Sequence, residues 1–163
     1  MRKRYIFLFT SLFCLMLNSV SAQDEIKSIK AVIERETFSF QSVDRKNWED
    51  SWLKVPYAYW SYSDSTGTSF VQGWEAINKS FDAYFKTQVP SRQIDVARKG
   101  GALSIERAWG DIRIYKNGAY VQYIQKVKDG LIHRDETSQI RFLEKNNGQW
   151  RIVYVGIIAK YPN

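Results

Sequence analysis

The hydrophobic periodicity of this 163-residue chain changes near Arg92, and that change limits the folds the chain can adopt. Before Arg92 most apolar residues recur at helical spacing, whereas after it they alternate with polar residues as in half-buried strands. Helices that come first and antiparallel strands that come last are typical of an α+β domain. We therefore expect three helices in the N-terminal half, packed on a sheet formed largely by the C-terminal half.

Three stretches with helical periodicity predict the helices. Asp24 and Asp44 are suitable N-cap residues for the first two, and the third runs from about Trp74 to Lys86. Pro56 and Pro90 follow the second and third helices and prevent their continuation. The first apolar face consists of Ile26, Ile29, Ile33 and Phe40, the second of Trp48 and Trp52, and the third of Trp74, Ile77, Phe81, Tyr84 and Phe85.

Turn signals separate the predicted strands. Asp64 to Gly67 forms the turn of a short hairpin that lies between the second and third helices. Asn117-Gly118 is a strong hairpin signal, and Asp129-Gly130 and Asn146 to Gly148 mark two further turns. The predicted strands are Tyr57–Tyr62, Ser69–Gln72, a stretch containing Ile94 and Val96, the run from Leu103 to Ile114, and then Ala119–Val127, Thr137–Glu144 and Gln149–Ile158.

Residues 1–22 have the three parts of a secretory signal peptide. Arg2, Lys3 and Arg4 precede an apolar run, and Val20-Ser21-Ala22 places small residues at the cleavage positions. A retained membrane anchor is the alternative, but the run from Tyr5 to Leu17 is shorter than the roughly 20 residues that span a bilayer. We expect an exported protein, periplasmic or extracellular, with no stable membrane insertion after cleavage.

The remaining residues, 23–163, have the length of a single domain. Removal of the three basic residues at the N-terminus lowers the formal charge from +7 to +4, which predicts ordinary solubility and no nucleic-acid partner. Cys14 is the only cysteine and His133 the only histidine, so thiol catalysis, a disulfide and a zinc site of several histidines or cysteines are excluded after cleavage. We expect no metal and no cofactor.

Three local motifs, in order, resemble the nuclear transport factor 2-like superfamily, close to its SnoaL-like branch. Gly73-Trp74-Glu75-Ala76-Ile77 resembles the glycine opening of the family's third helix. Ile112-Arg113-Ile114-Tyr115, Asn117-Gly118 and Ala119-Tyr120-Val121 resemble its central hairpin, and Gly148-Gln149-Trp150-Arg151-Ile152-Val153 its penultimate turn and final strand. The resemblance implies a cystatin-like cone, in which three helices pack on a strongly curved antiparallel sheet and leave a pocket at the open end. Many members dimerise through the outer face of the sheet.

The chain departs from the family at the positions that carry chemistry. Related domains often have paired aspartates where this chain reads Lys54-Val55-Pro56, and a histidine and a serine where it has Gly156 and Ile158. The catalytic aspartate and tyrosine of the steroid isomerase branch match no motif here. No catalytic residue of the family therefore carries over, and the fold alone does not determine the function.

The 21 aromatic residues after position 22 are candidates to line a pocket, although each of them can equally be part of the core. Strict alternation along the last strand places Trp150, Ile152, Tyr154 and Gly156 on one face, and the family resemblance implies that this face looks into the cone. The opposite face then carries the predicted dimer interface, Val153, Val155 and Ile157, with a monomer that has scattered apolar surface residues as the alternative. The candidate ligand-binding residues are Trp48, Trp52, Tyr59, Trp74, Phe81, Tyr123 and Tyr154.

Catalysis in such a pocket needs a positioned carboxylate, and three lie on or beside predicted strands: Asp111, Glu106 and Glu136. Each can equally be a solvated charge or part of a cross-strand ion pair. Arg113 and Arg141 are candidates to bind an anion, and Tyr123 or Tyr154 to donate to an oxyanion. His133 is expected in an exposed loop, with a dyad to Asp135 as the alternative.

Three functions follow from these patterns. The first is an exported, non-catalytic domain that binds a small, partly aromatic or apolar molecule. The second is a SnoaL-like isomerase, dehydratase or hydrolase that uses a pocket carboxylate. The third is a homodimeric assembly or docking module of the cell envelope.

Overall fold

The computed structural model describes residues 4–87, 103–129 and 132–160, and the side chains of 22–87, 104–127 and 136–160. The described helices are α1 (Arg4–Gln41), α2 (Arg45–Glu49), α3 (Trp74–Ser80) and α4 (Asp82–Thr87). The described strands are β1 (Tyr59–Asp64), β2 (Gly67–Gln72), β3 (Leu103–Ile114), β4 (Gly118–Asp129), β5 (Ile132–Asn146) and β6 (Gln149–Ala159). The predicted strand around Ile94 and Val96 falls outside the described residues.

The helices follow the predicted order with three differences. The first helix passes through Asp24 without a boundary there, because its backbone is helical from Arg4 onward. The predicted third helix consists of the two short helices α3 and α4, which are separated at Phe81. At the second helix the predicted cap is confirmed, since the Asp44 carboxylate accepts a hydrogen bond from the Asn47 backbone amide at 3.2 Å. The helix ends at Glu49, however, so Trp52 lies beyond it, in a β-bridge with Ile152.

The strands form one six-stranded sheet in the order β2-β1-β6-β5-β4-β3. Neighbouring strands are antiparallel except for β1 and β6, which pair in parallel. The Asn117-Gly118 turn joins β3 and β4 as predicted, with the Tyr115 amide donating to the Gly118 carbonyl at 2.7 Å. The β1–β2 hairpin, which comes from the helical half of the chain, is added at the β6 edge of the meander.

Irregularities in strand pairing bend the sheet. The register shifts between Trp109 and Ile112 on β3, between Val127 and Lys128 on β4, and between Phe142 and Leu143 on β5. The last shift places Phe142 opposite Tyr154 and Leu143 opposite Ile152, so Val153 is the extra residue of a bulge on β6. A bulge reverses the alternation of side chains beyond it, which determines the faces of the second half of β6.

The core lies between the helices and the concave face of the sheet. Ile29 and Ile33 of α1 are fully buried there, together with Val121 of β4 and Ile152 of β6. Glu25 of α1 contacts the end of the β5–β6 hairpin, where it accepts a hydrogen bond from Trp150 Nε1 at 2.6 Å and pairs with Lys145. These contacts fix α1 across the sheet, so its last turns pass over the inner faces of β4 and β5.

No helix among the described residues is both long enough and apolar enough to cross a membrane.

Candidate functional site

A cavity of about 220 Å³ lies between the end of α1, the turn at Phe81 and the concave face of the sheet. It has an aromatic wall and a polar floor. The aromatic wall comes from the helices and β1, and the polar floor comes from β4, β5 and one turn of α1. The aromatic wall consists of Phe40, Trp48, Trp60, Tyr62 and Phe81, and the polar floor of Glu36, Thr37, Gln125, Thr137, Gln139 and Arg141.

Ring contacts fix the aromatic wall. Phe81 packs edge-on against Trp60 and Phe40, with ring centroids 5.1 and 5.4 Å apart, and lies 5.5 Å from Trp48. Behind these rings Phe40 stacks on Tyr84, whose hydroxyl donates to the Phe40 carbonyl at 2.9 Å. Edge-to-face and stacked pairs of this kind hold aromatic side chains in defined orientations. The wall is therefore a fixed surface of flat apolar faces.

The polar floor follows from the alternation of β4 and β5. Gln125 lies on the inner face of β4, and Thr137, Gln139 and Arg141 occupy successive inner positions on β5. Gln139 is ordered from both sides, because Tyr123 donates to its Oε1 at 3.2 Å and its Nε2 donates to Thr137 at 2.7 Å. Burial raises the pKa of the Tyr123 hydroxyl, which therefore stays protonated and remains a donor.

A buried ion pair joins α1 to the floor. Glu36 is 6% exposed and Arg141 only 2%, and Arg141 Nη2 lies 3.6 Å from Glu36 Oε2. The Glu36 carboxylate also accepts hydrogen bonds from Trp48 Nε1 and the Thr37 hydroxyl, both at 3.2 Å. A buried charge needs such partners, since loss of hydration is costly. Glu36 thus connects the aromatic wall to the polar floor.

Two polar atoms of the floor have no hydrogen-bond partner within the part of the chain that the structure describes. They are Arg141 Nε, a donor, and Gln125 Oε1, an acceptor. Buried polar groups are nearly always hydrogen-bonded, and each exception needs an explanation. Both atoms are themselves covered, although other atoms of the two residues line the cavity.

Of the seven aromatic residues predicted to bind ligand, Trp48 and Phe81 line the cavity. Trp52, Trp74 and Tyr123 are buried in the core beside it. Tyr59 and Tyr154 lie on the convex face of the sheet and stack on each other at 5.6 Å, so their expected position inside the cone is wrong. The reason is the bulge at Val153, which turns Tyr154 outward, and Tyr59 lies directly opposite it.

The same bulge corrects the predicted interface. Val155 and Ile157 point inward and line the cavity, and Val153 is buried at the bulge itself. Strict alternation along β6 assigned them to the outer face and is wrong beyond Ile152. The convex face instead carries a row of aromatic side chains across five strands, here called the outer aromatic row: Phe70, Tyr59, Tyr154, Phe142 and Tyr120.

The three carboxylates proposed as bases lie outside the cavity lining. Asp111 is exposed and pairs with Arg113 at 2.6 Å, and Glu106 is exposed on β3. Glu136 pairs with Lys160 and Lys126 at 3.0 and 3.1 Å, and these hydrogen bonds hold its pKa below the ordinary range. Their positions on strands are as predicted, but the pocket carboxylate is Glu36. Among the predicted anion ligands Arg141 lines the cavity, whereas Arg113 is exposed.

His133 lies on β5 rather than in a loop, because β5 extends further toward its N-terminus than predicted. The side chains of His133 and Asp135 fall outside the described residues, so the dyad stays a prediction. Within the described side chains, no cluster of three acidic, histidine or cysteine residues is placed to hold a metal ion.

Sequence reasoning missed Glu36, although the sequence carries a signal for it. Ile29, Ile33 and Phe40 mark the inward stripe of α1, and Glu36 falls on the same stripe, three residues after Ile33. A charged residue in an apolar stripe is rarely buried without a partner. The inward positions of β5 give the matching signal, since Arg141 occupies one of them.

Comparison of the sequence with family models and with curated proteins yields no match. Comparison of the structure yields many. An NTF2-like protein of unknown function from Shewanella oneidensis MR-1 has a TM-score of 0.60 at 12% identity, over 82% of this chain and 98% of that one. A protein of unknown function with a cystatin-like fold from Nostoc punctiforme PCC 73102 has a TM-score of 0.58 at 16% identity, over 85% and 92%.

A third neighbour is a putative calcium/calmodulin-dependent protein kinase type II association domain from Thiobacillus denitrificans. Its TM-score is 0.59 at 9% identity, over 81% of this chain and 94% of that one. Identities this low establish the fold and nothing finer. The chain has the nuclear transport factor 2-like, cystatin-like α+β fold, as the sequence motifs indicated.

Proposed function

We propose that this protein is an exported domain that binds a small, partly aromatic ligand in the cavity without covalent chemistry. One observation carries the proposal: a cavity of about 220 Å³ is lined by an ordered aromatic wall and by a polar floor that includes the buried ion pair of Glu36 and Arg141. Ligand sites combine apolar walls with a few placed polar groups in this way.

The test is a thermal-shift screen of the purified protein against small aromatic molecules. A ligand that binds only the native state raises the melting temperature by mass action. The matched variants are Ile157→Phe, which adds bulk to the cavity lining, and Ile158→Phe, the exposed neighbour on the same strand. We expect the shift to be lost in Ile157→Phe and retained in Ile158→Phe. A screen without hits, or equal responses in both variants, contradicts the proposal.

We further propose that cleavage after Ala22 releases the exported domain. The contacts described above that hold α1 on the sheet begin at Glu25 and continue through Ile29 and Ile33, so cleavage leaves them intact. The intact mass of the exported protein tests this, and we expect it to correspond to a chain that starts at Gln23. A mass that retains residues 1–22 contradicts the proposal.

A SnoaL-like enzyme is the second candidate, and the position of Glu36 favours it. This carboxylate lies in the cavity lining, where a general base must lie to reach a substrate. Its hydrogen bonds to Trp48 and Thr37 and its pairing with Arg141 compete with that role. Incubation of the protein with a screening hit, followed by mass analysis of the small molecule, separates the two. A product formed by the wild type and abolished in Glu36→Gln supports the enzyme.

We propose that the partner of this chain is a second copy of itself, bound through the outer aromatic row. Phe70 is 63% exposed and Phe142 is 43% exposed, and apolar surface of this kind across five strands is typical of an interface. The similarity to a putative association domain is in keeping with assembly. We expect Phe142→Glu to shift the elution mass from dimer to monomer and Phe38→Glu, an exposed aromatic residue of α1, to leave it unchanged. A wild-type monomer at micromolar concentration contradicts the dimer.

A further inference from the structure

The charges that line the cavity balance. Glu36 and Arg141 are the charged members of its lining within the described side chains, and they pair with each other at 3.6 Å. A ligand that enters therefore meets a site with no net formal charge. An anionic ligand placed against Arg141 also approaches the Glu36 carboxylate, and it loses its hydration without a free counter-charge in compensation.

The polar floor offers hydrogen bonds of both kinds. The side chains of Gln125, Thr137 and Gln139 each carry a donor and an acceptor. A carboxylate offers acceptors only, whereas a carboxamide offers an acceptor and a donor. Together with the balanced charge, this composition favours an uncharged amide-like group over a carboxylate.

The volume limits the rest of the ligand. An apolar protein cavity of about 150 Å³ accommodates benzene, and this one measures about 220 Å³. The space accommodates one ring and a short substituent. The faces of Trp48, Trp60 and Phe81 are placed to contact that ring.

Building on the proposed ligand-binding function, we propose that the cavity selects an uncharged, single-ring molecule bearing a carboxamide-like donor and acceptor, and that Glu36 is the residue that excludes carboxylates. Glu36 does so because its negative charge neutralises the positive charge of Arg141. Replacement of Glu36 by glutamine keeps an oxygen to accept from Trp48 and leaves Arg141 with an uncompensated positive charge. The preference of the site is then expected to reverse toward anions.

The experiment compares benzamide, benzoate and toluene by calorimetric titration of the purified protein near neutral pH. We expect the wild type to bind benzamide about tenfold more tightly than benzoate, a difference of about 1.4 kcal/mol. Toluene, which fills the aromatic wall without meeting the polar floor, is expected to bind more weakly than benzamide. In Glu36→Gln we expect benzoate to gain about a hundredfold and so to overtake benzamide. The control Asp111→Asn removes an exposed carboxylate outside the cavity and is expected to leave the ratio unchanged.

A second variant covers the case in which Glu36→Gln fails to fold because Arg141 is left unpaired. Glu36→Gln combined with Arg141→Gln removes both charges, and we expect it to prefer benzamide as the wild type does. Benzoate binding to the wild type as tightly as benzamide overturns the selection by Glu36 and leaves the ligand-binding function standing. Failure of all three probes to bind any of the variants or the wild type contradicts the proposed function itself.

Discussion

The two faces of the sheet carry similar residue types, which are buried on one face and exposed on the other. On the concave face, Arg141 and Glu36 are buried and depend on each other. On the convex face, Arg113 and Asp111 form an equally simple ion pair that is open to solvent. The aromatic residues differ in the same way, since Trp48 is fully buried and Phe142 is exposed. Residue type therefore does not indicate whether a side chain is buried in this fold, whereas the face on which it lies does.

A single inserted residue determines much of that assignment. Up to Ile152 the side chains of β6 alternate as the sequence predicts, and beyond the bulge at Val153 they are reversed. Val155 consequently lines the cavity, and Tyr154 joins the outer aromatic row. The experiments below test whether the two faces differ as strongly in energy as they do in geometry.

The largest difference is expected between Arg141→Met and Arg113→Met. Loss of Arg141 leaves Glu36 buried without its counter-charge, which we expect to lower the free energy of unfolding by about 3–5 kcal/mol. Loss of Arg113 breaks a solvent-exposed pair and is expected to leave the stability nearly unchanged. Urea denaturation near neutral pH measures both.

A rescue variant separates charge from packing in this experiment. Addition of Glu36→Gln to Arg141→Met removes the uncompensated carboxylate, so most of the lost stability is expected to return. Equal losses in Arg141→Met and Arg113→Met contradict the difference between the two faces.

The second comparison uses two tyrosines of β4. Tyr123→Phe removes the donor to the buried Oε1 of Gln139, and an unsatisfied buried acceptor costs about 1–3 kcal/mol. Tyr120→Phe removes a hydrogen bond of 3.3 Å to Gln122 on the exposed face, where water replaces it, and the change is expected to stay within about 0.5 kcal/mol. Thermal or urea unfolding that ranks the two variants in the reverse order refutes this account of the floor.

The sequence predicted most of the framework because local signals agree with it. The capping residue Asp44, the Asn117-Gly118 turn and the alternation of β4 lie where the sequence places them. Bulges carry no comparable signal. Val153 is apolar like its neighbours on β6. Only the pairing of β6 with β5 shows that it is the extra residue of a bulge.

The candidate site was less predictable for a related reason. Exposed and buried carboxylates look alike in a sequence, so Asp111, Glu106 and Glu136 were as plausible as any other residue on a strand. Only the helical phase of α1 identifies Glu36 as an inward residue, and only the inward phase of β5 identifies its partner Arg141. Tertiary pairing then decides which charges meet.

The third prediction concerns a close contact on the convex face. A Cβ added at Gly156 would lie 2.7 Å from the Tyr154 hydroxyl, so alanine must displace that ring from its stacked contact with Tyr59 and its edge contact with Phe142. We expect Gly156→Ala to cost about 1 kcal/mol. The control Gly118→Ala adds a Cβ whose nearest contact is an ordinary 3.8 Å and is expected to cost less.

A double-mutant cycle identifies the cause of that cost. In a Tyr154→Ala background the ring is gone, so Gly156→Ala is expected to lose most of its effect. A cost that persists in this background shows that the strand itself, and not the aromatic row, rejects the side chain.

The smallest effect is expected at Glu136 of β5, whose ion pairs with Lys126 and Lys160 are partly open to solvent. A hydrogen bond from Lys160 makes the largest contribution to lowering the pKa of the Glu136 carboxyl, and one from Lys126 makes the next largest. A carboxyl with a depressed pKa in the folded state stabilises the protein above its unfolded-state pKa, and that contribution is lost as the pH falls through the folded-state pKa. NMR titration of the Glu136 carboxyl measures the shift directly.

Screening by salt distinguishes the exposed Glu136–Lys160 pair from the buried Glu36–Arg141 pair. Lys160→Met is expected to return the pKa of Glu136 toward its ordinary value, and about 1 M salt is expected to do the same in the wild type, because exposed charges are screened. The Glu36–Arg141 pair is shielded from counter-ions, so the stability difference between wild type and Arg141→Met should persist at that salt concentration. If salt also removes the stability difference between wild type and Arg141→Met, the Glu36–Arg141 pair is screened like an exposed pair. The cavity then does not hold Glu36 and Arg141 away from water.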